Sequence, residues 1–170
     1  MGRFLIRLFL TLCLLAGSAL AGSLETLEEA EALFVKKEYG KSARMAEKVL
    51  KEQPDNLRAG LVLAESLNES RKYLKAIDVY KDLIRQSPDN MELVFNLGIV
   101  YNNAEYHANA VTAYEQVVAV QPDNLKARHR LGISHALCMD LSKAYEVYRF
   151  LKKRDEKLAN DLLEYIQSNR

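Results

Sequence analysis

The chain has 170 residues, 49% of them hydrophobic and 28% charged, with a formal net charge of +1. That length suits one domain, and that balance is the composition of a folded chain rather than a disordered one. Charge so close to neutral gives no electrostatic case for nucleic acid as a partner.

Residues 1–21 read MGRFLIRLFLTLCLLAGSALA. Arg3 and Arg7 precede an apolar run, and the stretch closes on small residues through Ala19-Leu20-Ala21. This three-part pattern predicts a secretory signal peptide, cleaved after Ala21. The apolar stretch is about 14 residues long, short of the roughly 20 that span a bilayer. Left uncleaved, it would instead tether the protein to a membrane. Cleavage removes two arginines and no acids, so residues 22–170 carry a net charge of −1. It also leaves Cys138 as a lone thiol, unable to form an internal disulfide and expected to be buried as a small apolar residue.

The next feature is a ruler. EQPDN ends at residue 56, QSPDN at residue 90 and VQPDN at residue 124, so the three prolines, Pro54, Pro88 and Pro122, stand 34 residues apart. With proline as position 32, the units are 23–56, 57–90, 91–124 and 125–158. Position 8 is Ala30, Ala64, Gly98 and Gly132; position 20 is Ser42, Ala76, Ala110 and Ala144; position 24 is Ala46, Tyr80, Tyr114 and Tyr148. Leu63, Leu97 and Leu131 hold position 7 in the last three units. Steps of three and four along each half-unit place these residues on one helical face. Each unit is therefore a pair of amphipathic helices, small where the two helices approach and large at the tyrosines that fill the remaining space.

In chain order the predicted helices are 24–37 and 40–52, 57–70 and 73–86, 91–104 and 107–120, 125–138 and 141–153. Proline stops the second helix of a unit, and the Asp-Asn that follows caps the first helix of the next. Residues 157–168, KLANDLLEYIQS, add a helix with Leu158, Leu162, Tyr165 and Ile166 on one side. Its predicted role is to cap the last unit, since terminal repeats need a cover for solubility. A self-association surface is the alternative.

The 34-residue period, small residues at positions 8 and 20, tyrosine at 24 and proline at 32 resemble the tetratricopeptide repeat family. The resemblance is strong over 57–124, good over 125–153 and weak over 23–56. Thr26, Gly60, Val94 and Arg128 stand where the family carries a large residue at position 4, and unit 1 has Glu29 and Ser42 in place of Leu and Ala. Unit 1 is read as a degenerate terminal repeat. The resemblance implies an all-α, right-handed superhelical solenoid, closed here by a C-terminal capping helix. It also implies a concave surface lined by positions 2, 5, 9, 12 and 13.

On that basis the predicted partner-binding groove comprises Arg58, Leu61, Glu65 and Asn68; then Phe95, Ile99, Asn102 and Asn103; then Lys126, His129, Arg130 and Ile133. Leu61, Phe95, Ile99 and Ile133 would be an apolar floor, flanked by asparagines, for an extended or helical peptide. In the family some domains clamp a C-terminal carboxylate. Asn96, Lys126 and Arg130 match three places of that clamp, but Leu61 and Glu65 fill the other two, and Glu65 would repel a carboxylate.

Catalysis finds no motif: no phosphate loop, nucleophile elbow or H-E-x-x-H is present. His135 and Cys138, three residues apart, are too few for a zinc site, and no cofactor is implied. The functional expectation is a non-enzymatic adaptor exported to the periplasm or beyond the cell. It would bind a protein or peptide partner during assembly or stabilisation of a bacterial envelope complex. The alternative is a structural, self-associating subunit, with membrane contact only if residues 1–21 are retained.

Overall fold

In a computed structural model of the chain, residues 24–168 are described; the predicted signal segment lies outside them. They form nine helices and no strand: α1 (24–35), α2 (Tyr39–Glu52), α3 (Leu57–Glu69), α4 (Tyr73–Gln86), α5 (Met91–Asn103), α6 (His107–Val120), α7 (Leu125–Leu137), α8 (Leu141–Lys152) and α9 (Glu156–Ser168). The fold is of the all-α repeat-solenoid class. None of the described helices is long and apolar enough to cross a membrane.

The PDN stretches behave alike. Pro54, Pro88 and Pro122 each follow the residue that closes the preceding helix, and the asparagine two residues on caps the next one. Asn56 accepts from the Ala59 amide at 3.0 Å, Asn90 from Glu92 at 3.1 Å and Asn124 from Ala127 at 3.0 Å. Each satisfies a helix-start amide that has no partner within its own helix.

The turns inside each unit close differently. The Glu38 amide donates to Leu33, Tyr106 to Tyr101 and Asp140 to His135, all at 2.8–2.9 Å, with a second bond from the residue before. This paired closure needs one left-handed residue, usually glycine. Here it falls on Lys37, Glu105 and Met139, and Arg71 has the same conformation, with φ between 58° and 64° at all four. These four residues are spaced by the same 34 and hold no glycine.

The chain divides into two compact units, up to Ser70 and from Arg71 onward. In the first, α1 and α2 approach at Ala30 and Ser42, both fully buried. The departure of Ser42 from alanine has a reason: its hydroxyl donates to the Ala30 carbonyl at 2.8 Å and accepts from Ser66 Oγ of α3 at 2.8 Å. A three-helix junction is thus held by one buried hydrogen-bond chain.

In the second unit, Tyr114 of α6 is fully buried against α5, with Phe95 edge-on to it at 5.5 Å between ring centroids. Met91, Val94, Ala113, Val117 and Ala127 form one apolar cluster. A second joins Ala110, Tyr114 and Leu131, with Phe95 and Ile99 packed against it. At the C-terminal end α9 lies on α7 and α8, with Ala159, Leu162 and Ile166 wholly buried. Burying a leucine or isoleucine side chain contributes about 1.5–3 kcal/mol. The apolar face of α9 is therefore used inside the chain.

One expectation fails. Cys138 is exposed, because α7 ends at Leu137 and places Cys138 in the cap beside the turn rather than on the buried face. His135, three residues earlier, is buried.

Candidate partner-binding surfaces

The predicted groove residues have different circumstances. In the first unit Arg58 forms a two-pronged ion pair with Glu31 of α1, at 2.5 and 2.6 Å. Leu61, Glu65 and Asn68 are half-buried along α3, and Asn68 donates to Glu69 at 3.2 Å.

In the second unit Phe95 and Ile99 are half-buried on α5 and also support the Tyr114 cluster. Asn102 is engaged on both sides: its amide donates to Ser134 Oγ of α7 at 2.8 Å, and its carbonyl oxygen meets His107 Nδ1 at 3.2 Å. It ties three helices together. Asn103 and Lys126 are exposed. A small cavity of about 220 Å³ joins Met91, Glu92, Phe95, Gln121, Asn124 and Lys126 between α5 and α7.

The fourth repeat is partly covered by α9. His129 is buried, and its Nε2 lies 2.8 Å from the Asp161 carboxylate, out of line for a hydrogen bond. Burial lowers the His129 pKa from 6.5, and Asp161 works against that shift. Ile133 packs against the cluster that α9 completes. A Cβ on Gly132 would stand 2.5 Å from Leu162, so glycine here admits the capping helix. Arg130 remains exposed.

A larger cavity lies elsewhere. A trough of about 670 Å³ runs between α4 and α6, with Val94, Leu97 and Tyr101 of α5 along its floor. Asp78, Lys81, Asp82 and Arg85 form the α4 rail; Asn109, Thr112 and Gln116 form the α6 rail. Asp82 and Arg85 are paired with each other. A second hollow of about 400 Å³ shares Asp78, Lys81, Tyr101 and Asn109 and extends to Leu74, Ile77 and Tyr106. Leu74 is 63% exposed and Tyr106 47%, values that place apolar surface at the open end of the trough. From Leu74 to Arg85 the rail is about 16 Å long, three turns of helix. Sequence reasoning missed this surface. The available signal was the pair Leu74 and Tyr106, apolar residues at positions 18 and 16, outside the packing stripe.

Among the described residues no group of three His, Cys, Asp or Glu side chains could hold a metal ion.

The tetratricopeptide repeat family profile matches residues 27–91. The remaining units repeat the same helix pairs, caps and turns at the same interval. Over residues 27–91 the chain carries tetratricopeptide repeats. Solved structures of similar fold include MamA from Desulfovibrio magneticus RS-1, with a TM-score of 0.69 at 14% identity over 86% of this chain and 94% of that one. MamA of AMB-1 gives 0.67 at 19% identity, over 77% and 72%. A tetratricopeptide repeat protein from Parabacteroides merdae gives 0.75 at 14% identity, over 87% of this chain and 60% of that one. At these identities the likeness is one of fold. No curated protein matches the chain.

Tetratricopeptide repeats are interaction modules, and this one carries two kinds of surface suited to that role: a half-buried stripe on α5 and α7, and an open trough bounded by α4 and α6.

Proposed function

We propose that this protein is a non-enzymatic adaptor that seats a helical segment of a protein partner in the trough between α4 and α6. The observation that carries this reading is the trough itself: about 670 Å³, with an apolar floor and polar rails. Helix-in-groove recognition has this form, with apolar anchors every three or four residues set into the floor and polar groups meeting the rails. The concave stripe is a second reading, favoured by the partial exposure of Phe95 and Ile99 and by the small cavity beside Phe95.

Residues 1–21 support export, and with it a periplasmic or extracellular setting; a role in assembling an envelope complex rests on the resemblance to small exported repeat proteins. N-terminal sequencing of the exported product tests cleavage after Ala21. A membrane-tethered form would instead retain Arg3 and Arg7.

Photo-crosslinking separates the two surfaces. A crosslinker at Thr112 or Gln116 should capture the partner in the native compartment, and Thr112→Trp, which fills the trough, should abolish capture. Capture from Ile99 alone, lost in a Phe95→Ser, Ile99→Ser variant that still folds, would move the assignment to the stripe. A mass in solution equal to one chain in every condition, with no capture from either face, would reject the adaptor reading.

A further inference from the structure

Arg128 and Arg154 share one aromatic ring. The guanidinium carbon of Arg128 lies 3.9 Å from the centroid of Phe150, and that of Arg154 lies 3.8 Å from it. Stacking explains why one arginine sits there. Arg128 occupies position 4, where the family carries a large residue, and its flat head covers Phe150 as an aromatic would. The Nε of Arg128 donates to the Pro122 carbonyl at 2.8 Å, which fixes the plane.

Packing does not explain the second arginine. Among the described residues neither guanidinium has a carboxylate within 4 Å. Asp123 attracts Arg128 only from beyond that distance. The acid close to Arg154 in sequence, Asp155, spends its Oδ1 on the Leu158 amide at the start of α9. Arg149 and Lys152 lie in the last turn of α8, where the helix dipole favours cations. Arg154 lies past that end, and Arg128 belongs to another helix, so the dipole accounts for neither. The fold thus holds two like charges on one ring without a paired counter-ion. Their N–H groups form the flat forks that match carboxylates in two-pronged bonds.

We propose that Arg128 and Arg154, braced on Phe150, form a docking point for the side-chain carboxylates of an acidic protein segment. This rests on the protein-binding reading and adds a charge requirement that the trough does not set. A flat anionic membrane fits less well, because Phe150 is half-buried and closed by two cations, with no apolar group left to insert.

The probe is a fluorescent decaglutamate peptide, titrated at low salt against the folded protein, with decaglutamine as the neutral counterpart. Decaglutamate should bind and decaglutamine should not. Arg154→Gln removes an exposed side chain and keeps the fold, and it should weaken binding by about tenfold or more, the scale of charge-assisted hydrogen bonds. Phe150→Leu keeps both charges but removes the brace, and should also weaken binding. Lys157→Gln, an exposed cation that does not stack on the ring, should change it little. Equal losses in Arg154→Gln and Lys157→Gln would overturn the proposal in favour of general charge attraction. So would capture by phosphatidylglycerol vesicles with no binding of decaglutamate. Because the peptide reads this site alone, its failure leaves the trough assignment standing, and Thr112→Trp should bind decaglutamate normally.

Discussion

The Tyr114 ring lies directly on the backbone of Gly98: a Cβ placed there would stand 2.7 Å from Cε1 and 2.8 Å from Cζ. The small residue of one helix and the large residue of its partner are two halves of one contact. Gly98→Ala should therefore lower stability by about 1–3 kcal/mol, the usual cost of overpacking, despite the gain of about 1 kcal/mol in helix propensity. Urea denaturation measures this. Gly40 is the control, because a Cβ added there would meet no heavy atom within 4 Å; Gly40→Ala should be neutral or mildly stabilising.

The Tyr114 hydroxyl is buried and has no hydrogen-bond partner among the described residues. Burial also pushes its pKa far above the ordinary tyrosine value. A buried polar group without a partner costs free energy, and removing it while keeping the ring costs little packing. Tyr114→Phe should leave the fold unchanged and raise the unfolding free energy by up to about 1 kcal/mol. A clear loss of stability in the same denaturation assay would show that the hydroxyl is satisfied.

Lys37, Arg71, Glu105 and Met139 sit at positive φ, a conformation that costs an L-residue about 1–2 kcal/mol. Glycine meets no such penalty, though it loses more entropy on folding. Glu105→Gly and Met139→Gly should each stabilise the protein by about 0.5–1 kcal/mol, additively because the turns are far apart in sequence and close separately. Thermal melts of the single and double variants decide this.

His129 and His135 are both buried, and burial lowers both pKa values from 6.5. Asp161 and Asp155 oppose the shift at His129, while Arg130 adds to it. At His135, Lys143 adds to it and Asp140, Glu115 and Glu146 oppose it. For a depressed base the unfolded chain binds more protons, so stability is complete above pH 6.5 and falls as pH drops through the folded values. Melting temperature should decline from pH 7 towards pH 5. Asp161→Asn removes a stabiliser of the protonated His129 and should steepen that decline.

Much of this architecture could be read from three prolines. The predicted helix 91–104 is Met91–Asn103, and 107–120 is His107–Val120. The caps at Asn56, Asn90 and Asn124 follow from residue type and position alone. What could not be read depended on distance between elements. Asn102 looks like a free groove asparagine until α7 brings Ser134 within 2.8 Å. His129 and Ile133 look open until α9 is folded over them. The trough is a gap between helices rather than a stripe of residue types, so no periodicity announces it. The left-handed turns were hidden because none carries the glycine that usually marks them.

Those turns have a consequence for protein chemistry. Lys37, Arg71, Glu105 and Met139 are all exposed, and each holds the backbone in the region natural to mirror-image amino acids. A D-residue carrying a dye, spin label or affinity handle could be introduced at any of the four by segment ligation. It would relax the backbone rather than strain it, and every repeat would offer one such attachment point at the same place.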